Sequence, residues 1–392
     1  MKLKNKIFFI LIFLLPPFVM NVFHASSYSS GILLLCLIFF INFFLSKKSG
    51  FLFKSNKNFI RANIVLYLML LHGIIWMLII NSFNFNKFIF SYIGISFILL
   101  NALLFGSFFK SQKDNHVNKI LKITLFILFL NSLFPLFGIK LYNSSVPVGL
   151  FVEPSHFALA LSPLLLYSVI DKIKYFKLYL IYFAFWAVFI QNLTLLLVVF
   201  GCFIFNNSKK YILYAIIIIS LSSLVINISY FTSRTNLSSN SNNLSVLVFL
   251  NGWQKAAEAF KVSNGLGVGF QQLGYYNLKE DNSINEALAV FEKDHLNKYD
   301  AGSLAPKIIA EFGIFGILLI IAYLIYFKTI LIDIRNNRHF RSKSILFMQI
   351  CSLTLILELF FRGVGYFSTS VFLFLLCITN MNLSDLSRAL KK

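Results

Sequence analysis

Long apolar runs, broken by short polar or basic segments, fill most of this chain. They lie at 7–23, 31–46, 59–80, 88–109, 120–139, 155–170, 178–190, 192–205, 211–229, 307–327, 344–361 and 364–380. A membrane-spanning helix needs about 20 apolar residues, and most of these runs supply them. The runs are continuous and do not alternate with polar residues, which selects helices over a closed barrel. The pattern predicts an all-α, polytopic helix bundle of about 12 transmembrane helices. Two runs, 178–190 and 192–205, are short. They read either as two spans or as one span kinked at Gln191-Asn192.

One long polar interruption, Phe231 to Pro306, divides the chain into an N-terminal bundle (1–230), a large loop (231–306) and C-terminal spans with a tail (307–392). Half of the 14 acidic residues fall inside that loop. A loop this long inside a membrane protein is where chemistry on a water-soluble group is expected. Asn236 to Asn243 is rich in Ser and Asn. Apolar residues at 246, 249, 250, 253, 257 and 260 form a helical stripe that ends at Asn264-Gly265. Ser283 and Glu286 have the spacing of a capping box, which opens a second short helix along Ile284, Leu288 and Phe291. Two amphipathic helices on the outer face are therefore expected. Asp300-Ala301-Gly302-Ser303 is a turn, and Ser303 is placed to cap the following span.

Composition narrows the class. Of 392 residues 58% are hydrophobic and 12% charged, and the mean hydropathy is +0.79, more apolar surface than a soluble core hides. The net charge of +21 does not point to nucleic acid, because the basic residues form short clusters between apolar runs. With the N-terminus inside, most of the 35 basic residues fall on inside loops, among them Lys47/Lys48, Lys110/Lys113/Lys119, Lys172/Lys174/Lys177 and Arg335/Arg338/Arg341/Lys343. That satisfies the positive-inside rule and also offers contacts to anionic lipid. It favours two short spans at 178–205 and places the long loop outside. Lys2, Lys4 and Lys6 before the first run resemble a signal peptide, but no small-x-small site follows, so the run is read as a retained span. Cys36, Cys202, Cys351 and Cys377 all sit in apolar runs, with no disulfide or metal spacing.

Against this background a few ionisable residues stand out. Glu153 opens a span in Glu153-Pro154-Ser155-His156. It either complements the helix dipole or faces a polar cavity, and charge at membrane depth favours the second. His156 lies one turn on and is placed to share its proton. Arg234 and Arg362 fall on the outer side, against the topology signal. Each either snorkels or presents a fork suited to phosphate. His295 and Asp300 are candidate general bases or solvated loop residues. Glu311 and Glu358 lie within apolar runs and are expected to pair with arginines or to line a polar cavity. Gly265-Leu266-Gly267-Val268-Gly269 superficially matches a nucleotide-binding loop. No strand or βαβ unit surrounds it, so a tight turn with close backbone approach is the better reading.

Several of these motifs come together in order: Gly149 to Ala158, Gly265 to Phe270, Asp300 to Gly316, and Phe361-Arg362-Gly363-Val364-Gly365-Tyr366-Phe367. In order and topology, over about residues 140–370, they resemble the Wzy-type O-antigen polymerases of Gram-negative inner membranes, relatives of the O-antigen ligases. The resemblance implies a GT-C-like fold and a multi-pass protein of the bacterial inner membrane. The implied activity is a glycosyltransferase of lipopolysaccharide biosynthesis acting at the periplasmic face. Its substrates would be undecaprenyl-diphosphate-linked oligosaccharide repeat units, with no metal, cofactor or nucleic acid. Membrane lipid and a chain-length regulator protein are the further partners it suggests. Glu153, Asp300 or His295 would be catalytic, Arg234 and Arg362 would bind diphosphate, and His156, Glu311 and Tyr366 would support them. The ligases' loop histidine is replaced here by Gly302, which argues against a ligase. A lipid-linked oligosaccharide transporter is the other reading. It should show an internal repeat and mid-membrane polar residues, and the chain shows neither.

Overall fold

The computed structural model describes residues 3–25, 27–45, 57–79, 83–139, 148–205, 238, 241, 243–276, 278, 284, 286–288, 299–337 and 341–381. The run expected to span at 211–229 lies outside the described residues, as do Arg234, His295 and Ser283. Among the described residues the regular elements are all helices, apart from one isolated antiparallel bridge, Val148 to Phe151. In chain order α1 is Leu3–Val22, α2 Ser29–Leu45, α3 Lys57–Ile79, α4 Phe85–Lys110, and α5 Asp114–Leu133 with a 3-10 turn at Phe134–Phe137. Next come α6 Pro154–Ile170, α7 Phe176–Phe189, α8 Leu193–Phe205 and α9 Leu244–Val262. The chain closes with α10 Leu304–Asn337, α11 Lys343–Phe360 and α12 Thr369–Asn380.

Among the described residues five helices are long and apolar enough to cross a membrane: α3, α4, α5 with its 3-10 turn, α10 and α11. Helices α1, α2, α6, α7, α8 and α12 are apolar but shorter. At 1.5 Å per residue the 14 residues of α7 and 13 of α8 reach only about 20 Å, against a hydrocarbon core of about 30 Å. They are not one kinked span. The chain reverses at Gln191, whose φ is 56°, and α7 and α8 pack against each other and against α6.

The most enclosed helices are α6 and α11. Every residue of α6 from Phe157 to Ile170 is buried, and so is nearly every residue of α11. A helix that is apolar all round belongs inside. By contrast α3 leaves most of its side chains exposed, Ile64, Leu68, Ile75 and Leu78 among them, as a lipid-facing helix would. Lipid tails are as apolar as leucine, so helices associate through close packing and polar contacts. Both occur here. Phe9 stacks on Phe109 at 5.3 Å and tilts onto Phe347 at 5.6 Å, joining α1, α4 and α11. Asn380 of α12 sits over Gly106 of α4, where a Cβ would collide with it, and accepts a hydrogen bond from Ser107 Oγ at 2.8 Å. Pro16 has no N–H for the Ile12 carbonyl, and Thr369 Oγ1 takes that carbonyl at 3.2 Å.

Helices α4, α5 and α6, and again α10, α11 and α12, run up and down in turn, so the loops that join them sort to two ends. One end is basic. There Asp333, fully buried, accepts from Arg341 Nη2 at 2.9 Å and from Asn337 Nδ2 at 2.8 Å. Lys343 pairs with Asp171 and donates its backbone N–H to Asp114 Oδ1 at 2.9 Å. The other end collects residues 148–153, the turn into α10, and 361–368.

Three expectations need correction. Helix α12 starts at Thr369 and not at 364, because 361–368 is non-helical. Helix α10 runs past the expected 307–327 and is broken at Gly313 (φ 57°, ψ −128°). Helix α9 forms where the stripe predicts, but it buries a different face. Val246 of the stripe is buried, but so are Leu247, Val248, Asn251, Gly252, Lys255, Ala256 and Ala259, whereas Ala257 is exposed and Phe249, Leu250, Trp253 and Phe260 are half-buried. Small residues win because the helix presses on the turn before α10: a Cβ on Gly252 would overlap the Ala301 carbonyl. Of the second expected loop helix, the described residues Ile284 and Glu286 to Leu288 are helical.

Candidate active site

A small clamp of amides sets Glu153. Backbone bonds between Val148 and Phe151, each 2.9 Å, close a tight turn at Gly149 (φ 55°). Asn131 of α5 brackets it: Nδ2 donates to the Val148 carbonyl and Oδ1 accepts from the Leu150 N–H, both at 2.9 Å. Asn21 of α1 donates to the Leu150 carbonyl. The chain then enters α6, with Glu153 at the N-cap in an extended conformation and Pro154 in the first turn.

Glu153 makes no capping hydrogen bond. Its Oε2 accepts from Arg362 Nη2 at 2.6 Å and from Ser155 Oγ at 3.1 Å, and lies 4.0 Å from His156 Nε2. The dipole reading is therefore secondary, since the carboxylate is spent on an arginine 209 positions away. Burial pushes the Glu153 carboxyl up. Arg362, His156 and Ser155 outweigh it and hold the group below the ordinary carboxylate range. Tyr28, just before α2, sets its ring edge-on to His156 at 5.0 Å. Burial and then the Glu153 charge raise its hydroxyl, so it stays protonated.

A second charged group lies beside the first. Asp300 Oδ1 accepts from Lys307 Nζ at 2.6 Å; Lys307 is 1% exposed at the side chain and Asp300 46%. Lys307 Nζ also stands 5.1 Å from the centre of the Tyr366 ring, which packs on Phe270 at 5.2 Å. Glu311 is fully buried in α10, one turn beyond Lys307. Its carboxyl faces Lys307, the Gln271 amide and the Tyr366 hydroxyl, though neither oxygen makes a well-aligned hydrogen bond. Glu358 accepts from Ser368 Oγ at 2.8 Å and from the Val364 N–H at 3.2 Å. Neither glutamate is bonded to an arginine among the described residues. Glu311 faces a lysine, and Glu358 lines a small cavity with His156 and Tyr28.

The segment from Arg362 to Tyr366 joins the two groups. Gly363 N–H donates to the Gly302 carbonyl at 2.9 Å, and Gly365 lies against Asp300. The glycine loop 265–269 supports the same region from the far side. Val268 and Gly269 donate to the Ala310 and Glu311 carbonyls, each at 2.9 Å, and Ile314 N–H donates to the Gly265 carbonyl at 2.7 Å. Both Gly267 and Gly313 have positive φ, and a Cβ on either would strike the other segment's backbone. The loop is thus a backbone clasp on the break in α10.

Glu153, His156, Arg362, Asp300, Glu311 and Tyr366 therefore stand at one end of the bundle, while Arg234 and His295 lie outside the described residues. Ser303, expected to cap α10, does not. Its hydroxyl is buried without a hydrogen-bond partner among the described residues, because Ser303 is pinned between Gly363 and its own turn. Sequence reasoning missed Lys307 and Tyr28. The four-residue spacing of Lys307 and Glu311 on one helix was a usable signal, whereas Tyr28 in a serine-rich loop carried none. Among the described residues no group of three or more His, Cys, Asp or Glu is placed to hold a metal ion. No protein-family model, no curated protein and no solved structure matches the chain.

Proposed function

We propose that this chain is a polytopic membrane glycosyltransferase of the Wzy type, joining undecaprenyl-diphosphate-linked oligosaccharide units at the outer face of a bacterial inner membrane. The observation that carries this reading is the Glu153–Arg362 pair, 2.6 Å long across 209 residues, standing beside the Asp300–Lys307 pair. Cations and carboxylates at the end of a lipid-facing bundle are what transfer from a lipid diphosphate needs. In this reading the guanidinium of Arg362 turns from Glu153 to the diphosphate and stabilises charge that grows as the group leaves. Losing Arg362 raises the proton affinity of Glu153 toward that of a working base. The acceptor hydroxyl oxygen bonds to the anomeric carbon and its proton passes to Glu153. The bond from that carbon to the diphosphate oxygen breaks, and its electron pair leaves with the diphosphate. Asp300, half-exposed and fixed by Lys307, orients the acceptor sugar. The twelve-span, GT-C-like arrangement and the periplasmic placing of this end belong to the same proposal.

The test is purified protein reconstituted with a lipid-linked repeat unit, with product length read on a gel. Wild type is expected to give a ladder. Arg362→Ala is expected to lengthen the unit about 10²–10³-fold more slowly, so that mostly unextended single units remain, the usual loss when one donor to developing charge is removed. A normal ladder from Arg362→Ala removes the arginine from the site. Wild-type protein that moves the lipid-linked unit across the bilayer without lengthening it favours a transporter.

A further inference from the structure

Beside the Glu153–Arg362 pair, a small cavity lies between α1, the entrance to α2, α6, the end of α11, Val364 and Ser368, and the start of α12. Its polar wall is Tyr28, His156, Glu358, Ser368 and Ser370. Glu358 is fully buried and keeps two acceptor bonds, from Ser368 and the Val364 N–H. Two other polar groups on this wall have nothing to bond. Tyr28 Oη and His156 Nδ1 are both buried without a hydrogen-bond partner among the described residues. Tyr28 is 6% exposed and the His156 side chain 10%. Leaving each orphaned in a dry cavity carries the full desolvation penalty of the group. Water is the ordinary remedy where a cavity offers two or more polar partners. The imidazole also has a second face, with Nε2 4.0 Å from Glu153 Oε2. His156 therefore faces both the surface carboxylate and the cavity, and Glu358 lines the same cavity.

We propose that this cavity holds ordered water and forms a proton path from Glu153 through His156 to Glu358. The existence of the path stands on the cavity alone; its direction rests on the polymerase reading, in which Glu153 receives a proton from the acceptor hydroxyl. Glu153 passes that proton to His156 Nε2 through one water bridging the 4.0 Å between them. His156 releases the proton on Nδ1 to the cavity water, and the water passes one to Glu358. The balance is one proton moved: Glu153 returns to carboxylate, His156 has changed tautomer, and Glu358 is a neutral acid until the same steps in reverse return the proton to the departing diphosphate, which resets the path for the next transfer. The ionisable groups facing the path are Tyr28 at the entrance to α2, Glu153 and His156 of α6, Arg362 after α11, and Glu358 itself. The walls from α1 and α12 contribute Pro17, Thr369 and Ser370, none of them ionisable.

Two measurements test it. A high-resolution electron cryomicroscopy map of the full chain in lipid nanodiscs is expected to show water bonded to His156 Nδ1 or Tyr28 Oη. A dry cavity overturns the proposal whatever the enzyme does. In the reconstituted reaction, Glu358→Gln keeps the shape and the Ser368 contact. It is expected to complete a first transfer at the normal rate and then turn over about tenfold more slowly, with KM unchanged and the pH profile of turnover displaced. Tyr28→Phe is expected to show the same pattern in weaker form, and it serves should Glu358→Gln not fold. Unchanged turnover and pH profile in the folded variants sink the path. A wild-type protein that never lengthens glycan sinks the polymerase reading but leaves the cavity water to be judged from the map.

Discussion

At the scale of single residues, the Glu153–Arg362 pair decides most. A lysine at 362 would keep the charge but lose the fork that contacts a carboxylate or a diphosphate through two nitrogens. Arg362→Lys is therefore expected to insert and fold normally, yet to extend glycan at least about tenfold more slowly than wild type, short of the loss in Arg362→Ala. Equal rates for lysine and arginine would show that charge alone suffices. The pair also predicts an acid response. The folded Glu153 carboxyl is held below its ordinary value of 4.5. Its contribution to stability is therefore complete above that value and is lost as pH falls through the lower, folded one. Thermal unfolding of wild type and Glu153→Gln in detergent should differ at neutral pH and converge as the pH drops below about 4.5. A constant gap would mean that the ionised carboxylate adds nothing.

At the scale of elements, the break in α10 organises the site. Gly313 frees the carbonyls that clasp residues 265–269, and this clasp brings Phe270 to Tyr366 and so to Lys307. Gly313→Ala asks for a positive φ at a residue with a Cβ and drives that Cβ into the Gly265 carbonyl. Strain and overlap together are expected to cost at least about 2 kcal/mol, seen as a lower unfolding midpoint and earlier proteolysis in 263–276. Gly201→Ala in α8 is the control, because nothing lies within 4 Å of a Cβ there. It should be neutral or stabilising by up to about 1 kcal/mol. Similar midpoints for the two variants would mean that the clasp contributes little. The clasp shows where sequence reading reaches its limit. The glycine run was legible as a turn that allows close backbone approach. Its partner was not, because Gly313 reads as one small residue in an apolar run and its φ is imposed by the docked loop. The same holds for α9. Its stripe announced a helix, while the face it buries was set by contact with Ala301.

At the scale of the whole molecule, the two ends are chemically unlike. Lys110, Lys172, Arg341 and Lys343 gather at one end, and Glu153, Arg362 and Asp300 at the other. Labelling from the two sides of sealed vesicles tests this directly. All four cysteines are buried, so an impermeant thiol reagent should leave native protein unlabelled and no cysteine-free background is needed. A cysteine at Tyr299, 44% exposed, should react from one side, and one at Lys174, also exposed, only from the other. Labelling of both positions from the same side would break the up-and-down arrangement and, with it, the single outer compartment assumed for the site.

The apolar runs by themselves determined most of the helices, though not the ends of α10 and α12. Backbone polar groups cannot be left open in hydrocarbon, so a long apolar stretch has few alternatives to a helix. Ionisable residues at the ends of such runs were likewise visible as exceptions to that rule. Only the tertiary structure decided which of them meet. Glu153 finds Arg362 and Asp300 finds Lys307 because of how each helix is rotated about its own axis. That rotation follows from where small residues let backbones approach, as at Gly106, Gly252 and Gly313, and not from any period along the chain.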